Sequence, residues 1–154
     1  MEKLINPHLH YILCGVGEKQ KELQEQADKA DLHDNVHSLG YRNDVNELYE
    51  TSDCFVMPSF REGLSRSVME AMASGMPCVV SKIHGNTDLV IDKKGGFLCD
   101  LSKSDEFANA IGLLCSNALL CAERGRFNET KIREFDVSLV EKEIRCIYTE
   151  LLGG

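Results

Sequence analysis

The chain has 154 residues, of which 43% are hydrophobic and 27% are charged, and its formal net charge is −8. This composition excludes a wholly disordered chain, and the acidic balance argues against a general nucleic-acid-binding protein. No apolar run of the sequence approaches the roughly 20 residues that a membrane-spanning helix needs. The first residues also lack the basic and apolar zones of a secretory signal. We therefore expect one domain over residues 1–154, located in the cytoplasm.

Apolar runs rich in β-branched residues alternate with amphipathic stretches along the chain. The predicted strands cover residues 11–14, 36–39, 54–57, 78–81 and 96–99. The predicted helices cover residues 18–31, a segment through Leu48 and Tyr49 that Asn43 or Asp44 can cap, and residues 65–74, 104–115, 118–134 and 138–152. This alternation predicts an α/β, Rossmann-like domain in which helices cover both faces of a parallel sheet.

The seven cysteines do not form a recognisable metal or disulfide motif, because none of them belongs to a Cys-x-x-Cys pair. Cys14, Cys54, Cys78 and Cys99 lie in the apolar strand-like runs, where a reduced cysteine packs like a small hydrophobic residue. We expect buried, reduced thiols and no structural metal.

A glycine pair follows the first predicted strand. Gly15 and Gly17 suit a tight turn from a strand into a helix. No third glycine completes the dinucleotide fingerprint, and no acidic residue ends the following strand in the expected place. NAD binding is therefore not expected.

The segment from Pro58 to Val80, PSFREGLSRSVMEAMASGMPCVV, carries the most specific pattern in the sequence. It places Glu62 in the turn between a strand and a helix, and Glu70 eight positions later inside the helix. Open α/β sheets bind phosphorylated ligands where a strand ends and a helix begins. Two carboxylates at that point accept hydrogen bonds, which suits a ligand rich in hydroxyls such as a sugar or a ribose.

The predicted start of the same helix is a candidate diphosphate site. Gly63, Leu64 and Ser65 form the turn that enters the helix, and backbone N–H groups at a helix N-terminus bind anions. Such groups would stabilise a departing diphosphate. Arg66 can add a positive charge there, or it can be an ordinary residue of the helix surface.

Structural interpretations of these residues remain open beside the functional ones. Glu62 can be a solvated loop acid next to Arg61, and Ser65 can be a helix N-cap. Ser67 and Glu70 have the spacing of a capping box, which would make Glu70 a residue of the helix start.

The segment resembles the donor-binding signature of GT-B glycosyltransferases, specifically the retaining enzymes of family 4. In that family a Pro-Ser strand end and a Glu precede the sequence Glu-Ala-Met-Ala-x-Gly-x-Pro. Here the corresponding residues are Pro58 and Ser59, Glu62, and residues 70–77 with the sequence EAMASGMP. Residues 62–67 (EGLSRS) and 95–99 (GGFLC) are similar to the bacterial capsule and exopolysaccharide branch of the family.

The resemblance implies roles for individual residues. Glu62 would contact the transferred sugar as the catalytic residue, and Glu70 would hydrogen-bond the ribose hydroxyls of the donor. The glycine pair would line the nucleotide pocket, with Tyr41 and Arg42 beside the base. The full implied donor-binding set is Gly15, Gly17, Tyr41, Arg42, Ser59, Gly63, Leu64, Ser65 and Glu70. Asp88 stands where the family has a Glu, and the shorter side chain changes any contact made there.

The resemblance covers nearly the whole chain, but the chain covers only part of the family's architecture. An N-terminal acceptor domain is expected in addition, or a partner chain that supplies it. The family's donor domain also opens with a central strand and two basic residues, whereas residues 1–7 match only the end of the helix after that strand. The strands at 11–14 and 54–57 would then pair directly, or the sheet would stay open. The surface facing the absent domain should carry exposed apolar residues or mediate self-association.

The sequence therefore predicts one half of a GT-B fold that binds a UDP- or GDP-linked sugar. The implied reaction is retaining transfer of a hexose to a glycan or a lipid-linked acceptor in surface polysaccharide synthesis, without a metal or other cofactor. The departing phosphate oxygen would take the acceptor proton. The enzyme would act in the cytoplasm or at the inner face of the membrane, and this chain alone is expected to be inactive.

Three other interpretations stay open. The chain can be a non-catalytic module that holds a nucleotide sugar, or a degenerate fragment without a ligand. A GT-B epimerase is the third, although the sequence EAMASGMP favours a transferase. A measurement of nucleotide binding distinguishes the first two interpretations, since only the module would bind a nucleotide.

Overall fold

The computed structural model describes residues 8–152 and contains five strands and seven helices in that range. The strands are β1 (Tyr11–Cys14), β2 (Val36–Gly40), β3 (Phe55–Met57), β4 (Cys78–Ser81) and β5 (Gly96–Cys99). The helices are α1 (Gln20–Lys29), α2 (Val45–Glu50), α3 (Arg66–Ala73), α4 (Asn86–Leu89), α5 (Ser104–Cys115), α6 (Ala118–Lys131) and α7 (Val137–Leu152), with a 3-10 turn at Ile132–Phe135 between the last two.

The element order confirms the predicted alternation, with small differences at the ends. Sequence reasoning missed α4, whose four residues are too few to show a helical period. The predicted helix 118–134 ends at Lys131, after which the 3-10 turn continues it. Asp44 stands at the N-cap of α2, but its side chain does not cap the helix; it pairs with Arg42 instead.

The strands form two parallel sheets rather than one. β1 pairs with β2, and the second sheet has the order β3-β4-β5. Within residues 8–152 no backbone ladder joins β1 to β3, so direct pairing of these two strands is wrong and the sheet is open at that point. The two parts meet through side chains: Leu9 packs on the second sheet's core, and burial together with the nearby Cys54 thiol raises the pKa of Tyr11.

Helices cover both faces of the three-stranded sheet, as predicted. β4 is its central strand and is buried over all four residues. Cys78 and Val80 face a core that α2 and α3 complete, while Val79 faces the core formed with α5. A strand that is buried on both faces has a continuous run of apolar residues, and the sequence of β4, CVVS, has that character.

Helix α6 holds the connection between α3 and β4 in place. The Nδ2 atom of Asn128, which is fully buried, donates hydrogen bonds to the carbonyl oxygens of Met76 (2.7 Å) and Gly95 (2.6 Å). One turn earlier, a Cβ atom on Gly125 would lie 1.9 Å from the carbonyl oxygen of Gly75. This backbone approach is possible only because Gly125 has no side chain. The position of α3 therefore depends on α6.

The prediction that the cysteines are buried is correct only in part. All seven are free thiols, but Cys14, Cys115 and Cys146 are exposed. Cys14 ends β1 beside the open edge of that sheet, so its strand-like sequence context does not bury it.

Among the helices of residues 8–152, none combines the length and the apolar character needed to cross a membrane.

Asn128→Ala should lower the free energy of unfolding by about 2–3 kcal/mol, because two buried carbonyl groups lose their hydrogen-bond donor. Urea denaturation followed by circular dichroism measures the change. Asn109→Ala is the matched control, since Asn109 is exposed on α5 and its replacement should leave stability nearly unchanged. Equal stability of the two variants would contradict the anchoring role of Asn128.

The thiols should differ in their reactivity towards iodoacetamide in the folded protein. Burial raises the pKa of Cys78 and raises that of Cys99 to about 11, so neither forms a thiolate near neutral pH. We expect mass spectrometry at pH 8 to find modified Cys14, Cys115 and Cys146, with Cys78 and Cys99 modified only in denaturant. Modification of Cys78 in the native protein would show that the core opens.

Candidate functional site

The predicted site residues follow the carboxyl ends of three parallel strands. Gly15 and Gly17 come after β1, Tyr41 and Arg42 after β2, and residues 58–65 after β3. The ends of β1 and β2 are joined directly, because the Gly15 N–H donates a hydrogen bond to the Gly40 carbonyl oxygen at 2.7 Å. The parallel pairing thus brings the loops after β1 and β2 to the same edge of their sheet.

The loop that carries Glu62 is fixed at its base by buried polar groups. Ser81, the last residue of β4, donates a hydrogen bond from Oγ to the carbonyl oxygen of Ser59 at 2.6 Å. Asn86 Nδ2 donates to the Ser81 carbonyl oxygen at 3.0 Å, and both Ser81 and Asn86 are fully buried. Glu62 itself is half-buried. The loop is therefore held from below, while its acidic residue is still accessible to solvent.

Gly85 approaches the same loop more closely than any other residue type could. It has a φ of +86°, which L side chains rarely adopt, and a Cβ atom there would lie 1.9 Å from the carbonyl oxygen of Gly63. Sequence analysis did not identify the role of Gly85, because nothing local in the sequence shows which backbone it meets. Its structural function is to let the two loops touch through their backbones.

Helix α3 begins where the sequence predicted. Ser65 occupies the N-cap position with extended backbone angles, but its side chain does not cap the helix; the Oγ atom lies 3.6 Å from the Met57 sulfur. Gly63 and Leu64, just before it, are exposed. The first N–H groups of a helix have no acceptor within the helix.

Glu70 lies in the second turn of α3, with its two carboxylate oxygens in different surroundings. Oε2 lies 3.4 Å from the hydroxyl oxygen of Tyr49, and Oε1 lies 3.7 Å from Arg66 Nη2. The side chain is 44% exposed, so one part of the carboxylate contacts the protein and the rest can meet a ligand. Ser67 lies inside α3 rather than at its cap, which excludes the capping-box interpretation.

Tyr49 is the site residue that sequence reasoning missed. It is 8% exposed, and its ring packs edge-on against Phe55 with the centroids 6.0 Å apart. Burial, followed by the charge and the hydrogen bond of Glu70, raises its pKa to about 12. The sequence placed Tyr49 on a helix, but nothing in its spacing showed which carboxylate it would meet.

Tyr41 and Arg42 differ from each other in their surroundings. Tyr41 is 79% exposed. Arg42 donates from Nε to Asp44 Oδ1 at 2.7 Å and from Nη2 to Oδ2, and this pairing holds the pKa of Asp44 below its usual range. Arg42 is therefore engaged with a carboxylate of its own loop.

His84 and Asp88 lie on the surface of the following loop and α4. His84 Nδ1 is 3.7 Å from Asp88 Oδ2, and both side chains are largely exposed. Across residues 8–152, no three His, Cys, Asp or Glu side chains are placed to hold a metal ion.

Comparison with known proteins identifies relatives over most of the chain. The family model of the group 1 glycosyl transferases matches residues 1–132. A galactosyltransferase of Escherichia coli, named UDP-Gal:alpha-D-GlcNAc-diphosphoundecaprenol alpha-1,3-galactosyltransferase, is 30% identical over 99% of this chain. The chain spans 40% of that enzyme's length.

A solved structure repeats the fold. The crystal structure of Anabaena HepE in complex with UDP superposes with a TM-score of 0.87 at 28% identity, covering 94% of this chain and 42% of that one. The structural neighbours are GT-B enzymes, so the predicted fold class is confirmed. Since the superposition includes both sheets, their relative placement is that of the larger enzyme.

Gly85→Ala should destabilise the protein by about 2–4 kcal/mol, because the new Cβ meets the Gly63 carbonyl and the left-handed backbone is strained. Thermal and urea denaturation measure the effect. Gly63→Ala is the matched control: its Cβ would meet nothing within 4 Å and its φ is not left-handed. If the two variants are equally stable, the backbone contact between the loops is not rigid.

Proposed function

The chain belongs to the group 1 glycosyl transferases, and we propose that it is the donor-binding part of such an enzyme. It would hold a nucleotide diphosphate sugar at the edge where β1, β2 and β3 end. The observation that carries this proposal is the arrangement on α3. One short helix presents unpaired N–H groups at its start and the half-exposed carboxylate of Glu70 one turn later.

Each part of the donor has a matching group. The first turn of α3 suits the diphosphate, because helix N-termini bind anions. The carboxylate of Glu70 suits the two ribose hydroxyls, which are hydrogen-bond donors. Glu62 lies in the loop between β3 and α3 and would contact the sugar. Gly15, with a φ of +126°, forms a tight turn after β1 that would line the nucleotide pocket.

The proposed chemistry is retaining transfer of a hexose. The donor carries the transferred group itself, so the proposal needs no resident cofactor. The acceptor hydroxyl would attack from the face that the diphosphate leaves, and the departing phosphate oxygen would take the proton. The contribution of this chain to catalysis would be to orient the donor and to stabilise negative charge on the leaving group through the backbone amides at the start of α3. Glu62 would position the sugar.

We propose a lipid-linked saccharide as the acceptor and a UDP sugar as the donor. Support comes from the name of the Escherichia coli relative and from the UDP complex of HepE. Polypeptide outside this chain would bind the acceptor, since the chain spans 40% of that relative. Such an acceptor would bring the enzyme to the cytoplasmic face of a membrane. The exposed side chains of Val16 and Phe60 would face the acceptor part.

A binding module without transfer activity is the second candidate. It is favoured by the state of two arginines, because Arg42 is paired with Asp44 and Arg66 Nη2 lies 3.7 Å from Glu70 Oε1. Each of these two guanidinium groups already faces a carboxylate of the protein. Hydrolysis or transfer from a UDP sugar, measured together with an acceptor part, separates the two candidates.

Calorimetric titration of the chain with UDP and GDP tests the proposal. We expect UDP to bind, and Glu70→Gln to weaken its affinity about tenfold or more, because a charged acceptor for two hydroxyls is lost. Glu129→Gln is the matched control, since Glu129 is exposed on α6 away from the site.

Each result of the titration leads to a different conclusion. A similar loss with both variants would contradict the ribose role of Glu70. Binding of GDP in preference to UDP would support the proposed donor site but show that the donor carries guanine rather than uracil. If the folded chain gives no heat with either nucleotide, it does not bind the donor by itself, and the proposal fails for this chain.

A further inference from the structure

The two oxygens of the Glu70 carboxylate are not equivalent. Oε2 lies beside the buried hydroxyl of Tyr49, while Oε1 lies beside the exposed guanidinium group of Arg66. A glutamate on a helix surface normally samples several rotamers. A fixed hydrogen bond to one oxygen would restrict that freedom and present the other oxygen in one direction.

The surroundings of Tyr49 hold its side chain in a fixed position beside Glu70. Its side chain is almost completely buried, and its ring is held against Phe55 with an interplanar angle of 70°. The hydroxyl therefore cannot move far. It reaches α3 at two points, Glu70 Oε2 at 3.4 Å and the carbonyl oxygen of Ser67 at 3.5 Å. Both distances are long for an O–H···O bond, as expected when one proton is shared between two acceptors.

We propose that Tyr49 is a positioning residue, which fixes the Glu70 carboxylate so that its other oxygen, Oε1, meets the vicinal hydroxyls of the ribose. This inference rests on the proposed function, because it assumes that Glu70 binds the donor. Tyr49 does not touch the ligand. Its effect passes through Glu70 and depends on the ribose hydroxyls, which separates it from a residue that only packs the core.

Tyr49→Phe removes the hydroxyl and keeps the ring, so the contact with Phe55 and the fold should be retained. Tyr148→Phe is the matched control, because Tyr148 is exposed on α7. The probes are UDP and its 2′,3′-dideoxy analogue, which lacks both ribose hydroxyls. We expect Tyr49→Phe to weaken UDP binding about fivefold to tenfold and to leave the analogue's affinity unchanged. In a Glu70→Gln background, Tyr49→Phe should have no further effect on UDP. Equal weakening for UDP and the analogue would overturn the proposal, because it would show a general packing defect.

A measurement without ligand distinguishes failure of this inference from failure of the proposed function. The 13C resonance of the Glu70 carboxyl carbon should move in Tyr49→Phe and stay unchanged in Tyr148→Phe. If it does not move in Tyr49→Phe, the contact is absent and Tyr49 does not position Glu70. If it moves but the wild-type chain binds no UDP, the contact stands, and it is the donor-binding function that is wrong.

Discussion

The buried strand β4 is the constraint on which the candidate site depends. Its four residues are buried on both faces, so α3 and α5 must pack against it from opposite sides. Its last residue, Ser81, is polar and reaches the backbone of the Glu62 loop through Ser59. A buried hydroxyl without a partner is costly, and this hydrogen bond satisfies it. The same strand therefore fixes the helix that carries Glu70 and the loop that carries Glu62.

Because no backbone ladder joins β1 to β3, residues 8–152 form two sheets, and these differ in how well their residues are buried. The second sheet has core on both faces, whereas the first has two strands with several half-buried or exposed apolar residues. The residues of β3 are only half-buried although all three are apolar, because one edge of that strand is unpaired. Two-stranded units are marginal on their own. Stability thus resides in the part built around the second sheet, and the placement of the glycine turn after β1 depends on side-chain packing such as that of Leu9 on the core of the second sheet.

Sequence reasoning predicted the strands and long helices because apolar runs and their periods are local properties. It also located α3 and the alternation of strands and helices around it. It did not find the contacts that link distant segments. Tyr49 meets Glu70 across 21 positions of sequence, and Asn128 reaches Met76 across 52. No spacing rule covers such pairs. The roles of Glu62 and of the other site residues remain predictions from the family signature, since position alone does not show what a carboxylate binds.

The two acidic residues of the signature differ in how the protein holds them, and this difference matches different tasks. Glu70 stands four residues after the start of α3, about 6 Å along the axis, and rises from a rigid helix beside a buried tyrosine. A group that recognises an unchanging part of the ligand benefits from such rigidity, because little entropy is lost on binding. Glu62 stands on a loop whose backbone is held by Ser81 at Ser59 and contacted by Gly85 at Gly63, while its own side chain is half-buried. In the proposed function, Glu62 would accommodate a sugar before transfer and its departure afterwards, and a side chain on a loop allows that adjustment while the nucleotide would stay bound at the helix.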